Sequence, residues 1–406
     1  MLRLDDFRKV VPDERIAEIY QRARGLYSKH IVHLNATYQG GGVAEILYSL
    51  VQLMNDVGIK TGWRILHGSQ EFFEVTKSFH NTLQGKPLKL TDRIKGIYLQ
   101  VNDHFAKFTH LEHDCVIIHD PQPLSLIQSY RKKQPWIWRC HIDLTAPNPE
   151  LWDFLKGFIL KYDQVIFSSE KYFKEDLPVD QRLMFPAINP LSVKNRFMTE
   201  KEVREQIDKA GILADKPVIT QVSRLDPWKD PEGVIEVFKR VKEQVDCRLI
   251  FCYNAASDDP EGIRMYEKVY RKGKKMIEDR DILMVVGNQE PLVNAIQRFS
   301  DVIIQKSTRE GFCLCVTEAL WKGTPVVASN VGGIPVQIQD GHNGFLLEPN
   351  DVDGFAEKIV YLLKNPQEAR QLGENGHETV RTKFLITRLL SDYLDMLNSI
   401  MAMKNH

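Results

Sequence analysis

The 406-residue sequence has no excess of either charge: lysine and arginine total 54, as do aspartate and glutamate. That balance gives no reason to expect a nucleic acid or an anionic membrane as partner, so the expected ligand is small. Long apolar runs are missing too. No stretch approaches the roughly 18 residues that cross a bilayer, and the opening segment, charged from Arg3 onward, has no apolar signal-peptide core. Cysteine is sparse. The 6 residues are scattered through strand and helix patterns without framework spacing, which suits buried thiols in a reducing, cytoplasmic setting better than disulfides. Two nucleotide signatures are also absent. There is no Walker loop, and the run Gly40, Gly41, Gly42 is not a dinucleotide fingerprint, because Glu45 stands where the third glycine belongs and no acid closes the next strand candidate. A dehydrogenase is therefore disfavoured.

What is present is length and alternation. With 43% hydrophobic residues the chain can fill two cores of ordinary domain size. Short β-rich runs alternate with helix-period stretches: strand candidates at 30–36, 61–68, 115–120, 135–144 and 163–170, then at 216–225, 247–255, 282–288, 301–307, 324–330 and 344–349. Strand, helix, strand is the signature of parallel sheets, since a parallel connection must cross over the sheet. The expected fold is α/β with two Rossmann-like domains. A proline-containing linker at 185–197 places the boundaries at 1–195, 196–385 and a C-terminal helix, 386–406, that could pack on either domain, the N-terminal one being expected. The apolar and methionine residues of that helix read as packing rather than as a cofactor box.

Open α/β sheets bind ligands beyond the carboxyl ends of their strands, and three such ends carry chemistry. The glycines at 40–42 lie between a strand and a helix, where a backbone can approach an anion or a sugar; a simple turn is the rival reading. In "TQVSRLDPWKD", Ser223 and Arg224 end a strand and Lys229 follows the Asp226-Pro227 turn. A guanidinium fork and an ammonium on one loop are what a diphosphate requires, with a surface salt bridge as the alternative. In "KSTREGFCLCVTEALWKG", Glu310 sits in a tight turn and Glu318 is expected about two turns into the helix that follows. The N–H groups of Gly311, Phe312, Cys313 and Leu314 would form an anion cradle there. Two carboxylates also suggest a glycosidase pair, but a cationic neighbourhood suits a leaving group that is already negative and needs no proton.

The stretches "SRLDPWKD", "VVGNQ", "REGFCLCVTEAL", "KGTPVVASNVGGIPVQI" and "NGFLLEP" resemble the retaining nucleotide-sugar glycosyltransferases of the GT-B fold (glycosyltransferase family 4), which include the sucrose and sucrose-phosphate synthases; the E-x7-E of Glu310 and Glu318 is their hallmark. Within that family "HLNATYQGGGVAEIL", "CVIIHDPQPL" and "WRCHIDL" are most similar to the archaeal and bacterial trehalose synthases that join a nucleotide-activated glucose to free glucose. The resemblance implies two domains facing each other across a cleft that closes on the donor. It implies that Arg224, Lys229 and the backbone of Gly311, Phe312, Cys313 and Leu314 bind the donor diphosphate, with Ser223, Gly41 and Gly42 beside it. Glu310 would hold hydroxyls of the donor glucose, Glu318 the nucleotide ribose, and the backbone at Gly287 and Asn288 the base. His141 would face the donor sugar, a role for which a lone histidine gives no warrant of its own. His119, Asp120 and Gln122 are candidate acceptor contacts, a turn being the rival reading.

The expected reaction is trehalose formation from a nucleoside diphosphate glucose, with ADP-glucose and UDP-glucose as candidate donors, in a reversible transfer to free glucose. A trehalose phosphorylase, a related glucosyltransferase with another acceptor, and a nucleotide-sugar sensor are the alternatives. No tightly bound cofactor is expected, and added Mg2+ is expected to help only by pairing with the nucleotide. Asp351-Val352-Asp353 opens a helix, where an aspartate is a good N-cap. His110, His113 and Cys115 lack a fourth ligand for zinc, so no dedicated metal site is expected. The expected assembly is a homodimer.

Overall fold

The computed structural model describes residues 2–38, 41–254 and 260–403. Gly40 of the glycine run and Ala255 of the strand candidate 247–255 lie outside the described residues. The chain divides into two compact units, Met1–Ala187 with Ile386–His406, and Ile188–Leu385, so that residues 188–195 fall with the second unit and the last helix with the first.

The first unit is a six-stranded parallel sheet built from β1 (His30–Asn35), β2 (Lys60–Ile65), β3 (Cys115–His119), β4 (Trp136–Arg139), β5 (Gln164–Phe167) and β6 (Asp180–Leu183), in the order β2-β1-β3-β4-β5-β6. β3, β4 and β5 are buried along their whole length, as parallel strands covered on both faces must be. One face packs against a core of Phe72, Phe79, Tyr98, Trp138, Leu155 and Phe167. The final helix Ile386–Met403 buries Leu389, Leu390, Tyr393, Leu394, Met396 and Leu397, which follow the helical period.

Two elements differ from the sequence expectation. β6 has no counterpart in it, because "DQRL" carries charge and only one apolar residue; it is an edge strand, and charged side chains at an edge deter pairing with another chain. β4 stops at Arg139 rather than running to residue 144, so His141 stands in the loop beyond the strand.

The second unit holds β7 (Val218–Arg224), β8 (Arg248–Asn254), β9 (Ile282–Val286), β10 (Val302–Gln305), β11 (Val326–Ser329) and β12 (Phe345–Leu347), all parallel, in the order β12-β11-β10-β7-β8-β9. The period of two along β8 sends Leu249 and Phe251 into one core and Ile250 and Cys252 into the other, so helices cover both faces. The α/β class with two parallel sheets is the one the alternating pattern implies. Among the described residues no helix is long and apolar enough to cross a membrane.

Candidate active site

In the second unit the winding reverses between β7 and β10, and an open sheet leaves a crevice beyond its carboxyl ends at such a point. After β7, the Asp226 carboxylate accepts the Trp228 N–H at 2.9 Å and caps a short turn, Pro227–Lys229. The Thr308 N–H, just after β10, donates to the Trp228 carbonyl at 2.8 Å and ties the two loops together. Lys229 thereby meets Glu310 in an ion pair whose side chains are only 15% and 13% exposed. Burial by itself lowers the Lys229 ammonium, but the Glu310 carboxylate outweighs it and holds the group above the ordinary lysine range, so it stays charged. Lys306, buried, pairs with Asp230, which has φ of +45° and caps the helix Pro231–Lys242 by accepting the Gly233 N–H at 3.0 Å. Arg224 is different: its side chain is 57% exposed and lies 3.2 Å from Asp226.

The helix Leu314–Trp321 begins at Cys313, whose φ is +74°, and no side chain caps it. Buried Gln337 fixes this start: its amide donates to the Phe312 carbonyl and, at 3.4 Å, to that of Cys313, while its oxygen accepts the Thr317 hydroxyl at 2.6 Å. The loop also needs Gly333 behind it, since a Cβ there would lie 2.5 Å from the Gly311 carbonyl oxygen and 2.8 Å from Phe312 Cα. An uncapped helix start of this kind offers N–H groups and the positive end of a dipole to an anion.

Because the helix starts at Leu314, Glu318 lies about one turn in rather than two. It is fully buried, with Lys194 at 2.8 Å and the Gln297 amide at 3.4 Å. Lys194 sits in the linker, where no pattern marks it. Ser223 is half-buried at the end of β7, and Asn288 is exposed two residues beyond β9. Burial raises the Cys315 thiol to about 12 and Cys313 well above its usual range, so neither is a thiolate at neutral pH.

The first unit reverses its winding between β1 and β3, and three histidines meet there. His33 Nδ1 lies 3.0 Å from His119 Nε2, and His119 Nδ1 lies 3.0 Å from His141 Nε2. The register explains the series. His33 is level with Ile117 and His119 with Arg139, so each step moves one strand across and two residues toward the carboxyl end, which keeps all three on one face. Burial lowers all three imidazoles, His33 to about 3, and the Arg139 charge adds to the effect. Arg139 is itself buried, donating to Tyr393 Oη at 2.7 Å and lying 3.2 Å from the Met184 sulfur.

Asp120, at φ of +60°, accepts the His141 N–H at 2.7 Å; burial raises its carboxyl to about 7. The structure thus brings His119, Asp120 and His141 together. Gln122 is placed by its backbone carbonyl, which accepts from Asn102 at 3.0 Å. His33 is not among the residues the sequence singles out; its one signal there is an imidazole set within the apolar residues Ile31, Val32 and Leu34 of β1. Gly41, at φ of +149°, caps the helix Gly42–Asp56 without a side chain. Asp351 caps its helix, accepting the Gly354 N–H at 2.8 Å. Among the described residues no group of three or more His, Cys, Asp or Glu is arranged to hold a metal.

A family model described as trehalose synthase, N-terminal domain, matches residues 33–174, and one described as glycosyl transferases group 1 matches residues 202–379. A trehalose synthase of Thermococcus litoralis is 47% identical over 98% of this chain and 97% of its own. One from Rubrobacter xylanophilus is 41% identical over 98% of this chain and 97% of its own. The solved structure of a sucrose-phosphate synthase from Thermosynechococcus elongatus has a TM-score of 0.75 at 16% identity, covering 92% of this chain and 100% of that one, a likeness of fold alone. The chain belongs to the trehalose synthase family of GT-B glycosyltransferases.

Proposed function

We propose that the chain forms the α,α-1,1 bond of trehalose by moving glucose, with retention, from a nucleoside diphosphate glucose to free glucose, and that it runs in both directions. The observation that carries this reading is a Lys229 held charged by Glu310 together with an uncapped helix start at the switch point of the second sheet. Such equipment stabilises negative charge growing on a departing diphosphate, which leaves without acid assistance. Arg224, exposed and 3.2 Å from Asp226, is assigned to the same diphosphate, with the backbone of Gly311, Phe312, Cys313 and Leu314 and with Ser223, Gly41 and Gly42 beside it. Glu310 is assigned to donor hydroxyls and Asn288 to the base. Glu318 is assigned to the ribose together with Lys194, its ion-pair partner at 2.8 Å.

In the first unit His141, His119, Asp120 and Gln122 are assigned to sugar hydroxyls. In the transfer, the bond from the anomeric carbon to the phosphate oxygen breaks, the acceptor oxygen takes its place, and the acceptor's proton passes to the leaving phosphate. Incubation with ADP-, UDP- or GDP-glucose plus glucose, read by NMR of the products, should show α,α-trehalose and free nucleoside diphosphate. Glucose released to water, trehalose split by phosphate without nucleotide, or tight donor binding without turnover would each replace this reading.

A further inference from the structure

The series His33, His119, His141 has a property that none of its members has alone. Each imidazole is neutral, because burial disfavours its charged form and the buried Arg139 guanidinium adds to the effect, so each ring carries one N–H. With one proton per ring the two hydrogen bonds cannot be set independently. If His33 Nδ1–H donates to His119 Nε2, then His119 must carry its proton on Nδ1 and donate to His141 Nε2, which leaves the His141 proton on Nδ1. The opposite polarity puts the His33 proton on Nε2. That atom is buried and has no hydrogen-bond partner among the described residues. A buried orphan N–H is rarer than an orphan lone pair, which selects the first arrangement. His141 Nδ1 makes no hydrogen bond among the described residues, so it is the free end of the series.

We infer that His33 and His119 are positioning residues that lock His141 as its Nδ1–H tautomer, so that His141 offers a neutral hydrogen-bond donor to a sugar oxygen and does not act as a general base. The assignment of the oxygen to a sugar rests on the proposed function; the tautomer does not. Asp120 completes the arrangement by accepting the His141 backbone N–H, which fixes where the ring hangs.

The test is long-range proton–nitrogen NMR of the 15N-labelled full chain, in which bare and protonated ring nitrogens have separate shifts. The three residues are identified among the 12 histidines by comparing spectra of the His33→Asn, His119→Gln and His141→Gln variants. The expected wild-type pattern at neutral pH is Nδ1 protonated and Nε2 bare in all three residues. The reverse pattern at His141, or a protonated imidazolium there, overturns the inference even if trehalose is made. For catalysis, His33→Phe, which removes the donor, should lower kcat/KM about tenfold, the worth of one placed hydrogen bond. His33→Asn, which keeps a donor, should recover most of it. Equal activity of the two variants, both folded, would also overturn it. If neither wild type nor variant transfers glucose while the NMR pattern holds, the function falls and the tautomer lock stands.

Discussion

Replacing His33 by phenylalanine should flatten the acid side of the first unit's stability profile. His33 on β1 faces His119 from β3, the Arg139 charge from β4 and the Tyr393 ring from the last helix, and among the described residues no carboxylate touches it. Folded, its imidazole takes a proton only at about pH 3; unfolded, it does so near its ordinary value of about 6.5. Between those values the unfolded chain binds one proton more than the folded one, so stability is lost as pH falls, by about 1.4 kcal/mol per unit for this residue. At about pH 5 the loss from His33 is about 2 kcal/mol. His119 and His141 are lowered in the same sense and add to it. Asp120, raised to about 7 by burial, works oppositely, losing stability as pH rises from the ordinary aspartate range toward neutrality. Urea unfolding near neutral pH and near pH 5, followed by hydrogen exchange of β1 and β3 so that only the first unit is read, measures the difference. The variant should recover about 2 kcal/mol of the wild-type acid loss. Equal pH slopes in the two proteins refute the reasoning.

Glu310→Gln leaves the Lys229 ammonium without its counter-charge in a nearly buried position and should cost about 3 kcal/mol, with added nucleoside diphosphate raising the Tm of the variant more than that of wild type. Arg224→Ala removes an exposed side chain, so its unfolding free energy should stay within about 0.5 kcal/mol of wild type while transfer falls by about a hundredfold; unchanged turnover removes the diphosphate assignment. Gly333→Ala pushes on the Gly311 carbonyl and Phe312, so calorimetry should show donor binding lost along with about 1–3 kcal/mol of stability. Deleting the last helix removes Leu389, Leu390, Tyr393, Leu394, Met396 and Leu397 from the first unit, at about 2 kcal/mol each; that sum exceeds a domain's usual margin, so the shortened chain should be insoluble, and a soluble, folded product would contradict the packing.

Eleven of the strands, the parallel class and the positions of Arg224, Lys229, Glu310 and His141 near strand ends follow from local pattern. Such patterns are read off neighbouring residues: an apolar run long enough for a strand, a helical period after it, a Gly or Asp-Pro turn between. The helix starts later than its local pattern suggests because Cys313 caps it in a left-handed conformation, a position where no Ser, Asp or Gly announces a helix start. β6 carries no local signal, because only its pairing with β5 makes "DQRL" a strand.

The amino-acid order by itself determined the alternation of strands and helices and the chemical groups at each strand end, because those depend on residues a few positions apart. Partnership is another matter. That Lys229 is held charged by Glu310, that Lys194 covers Glu318 and that His33 stands behind His119 depend on which strands lie side by side and in what register. Burial and distance set the protonation of those groups, and both come into being only when residues far apart in the chain are packed together.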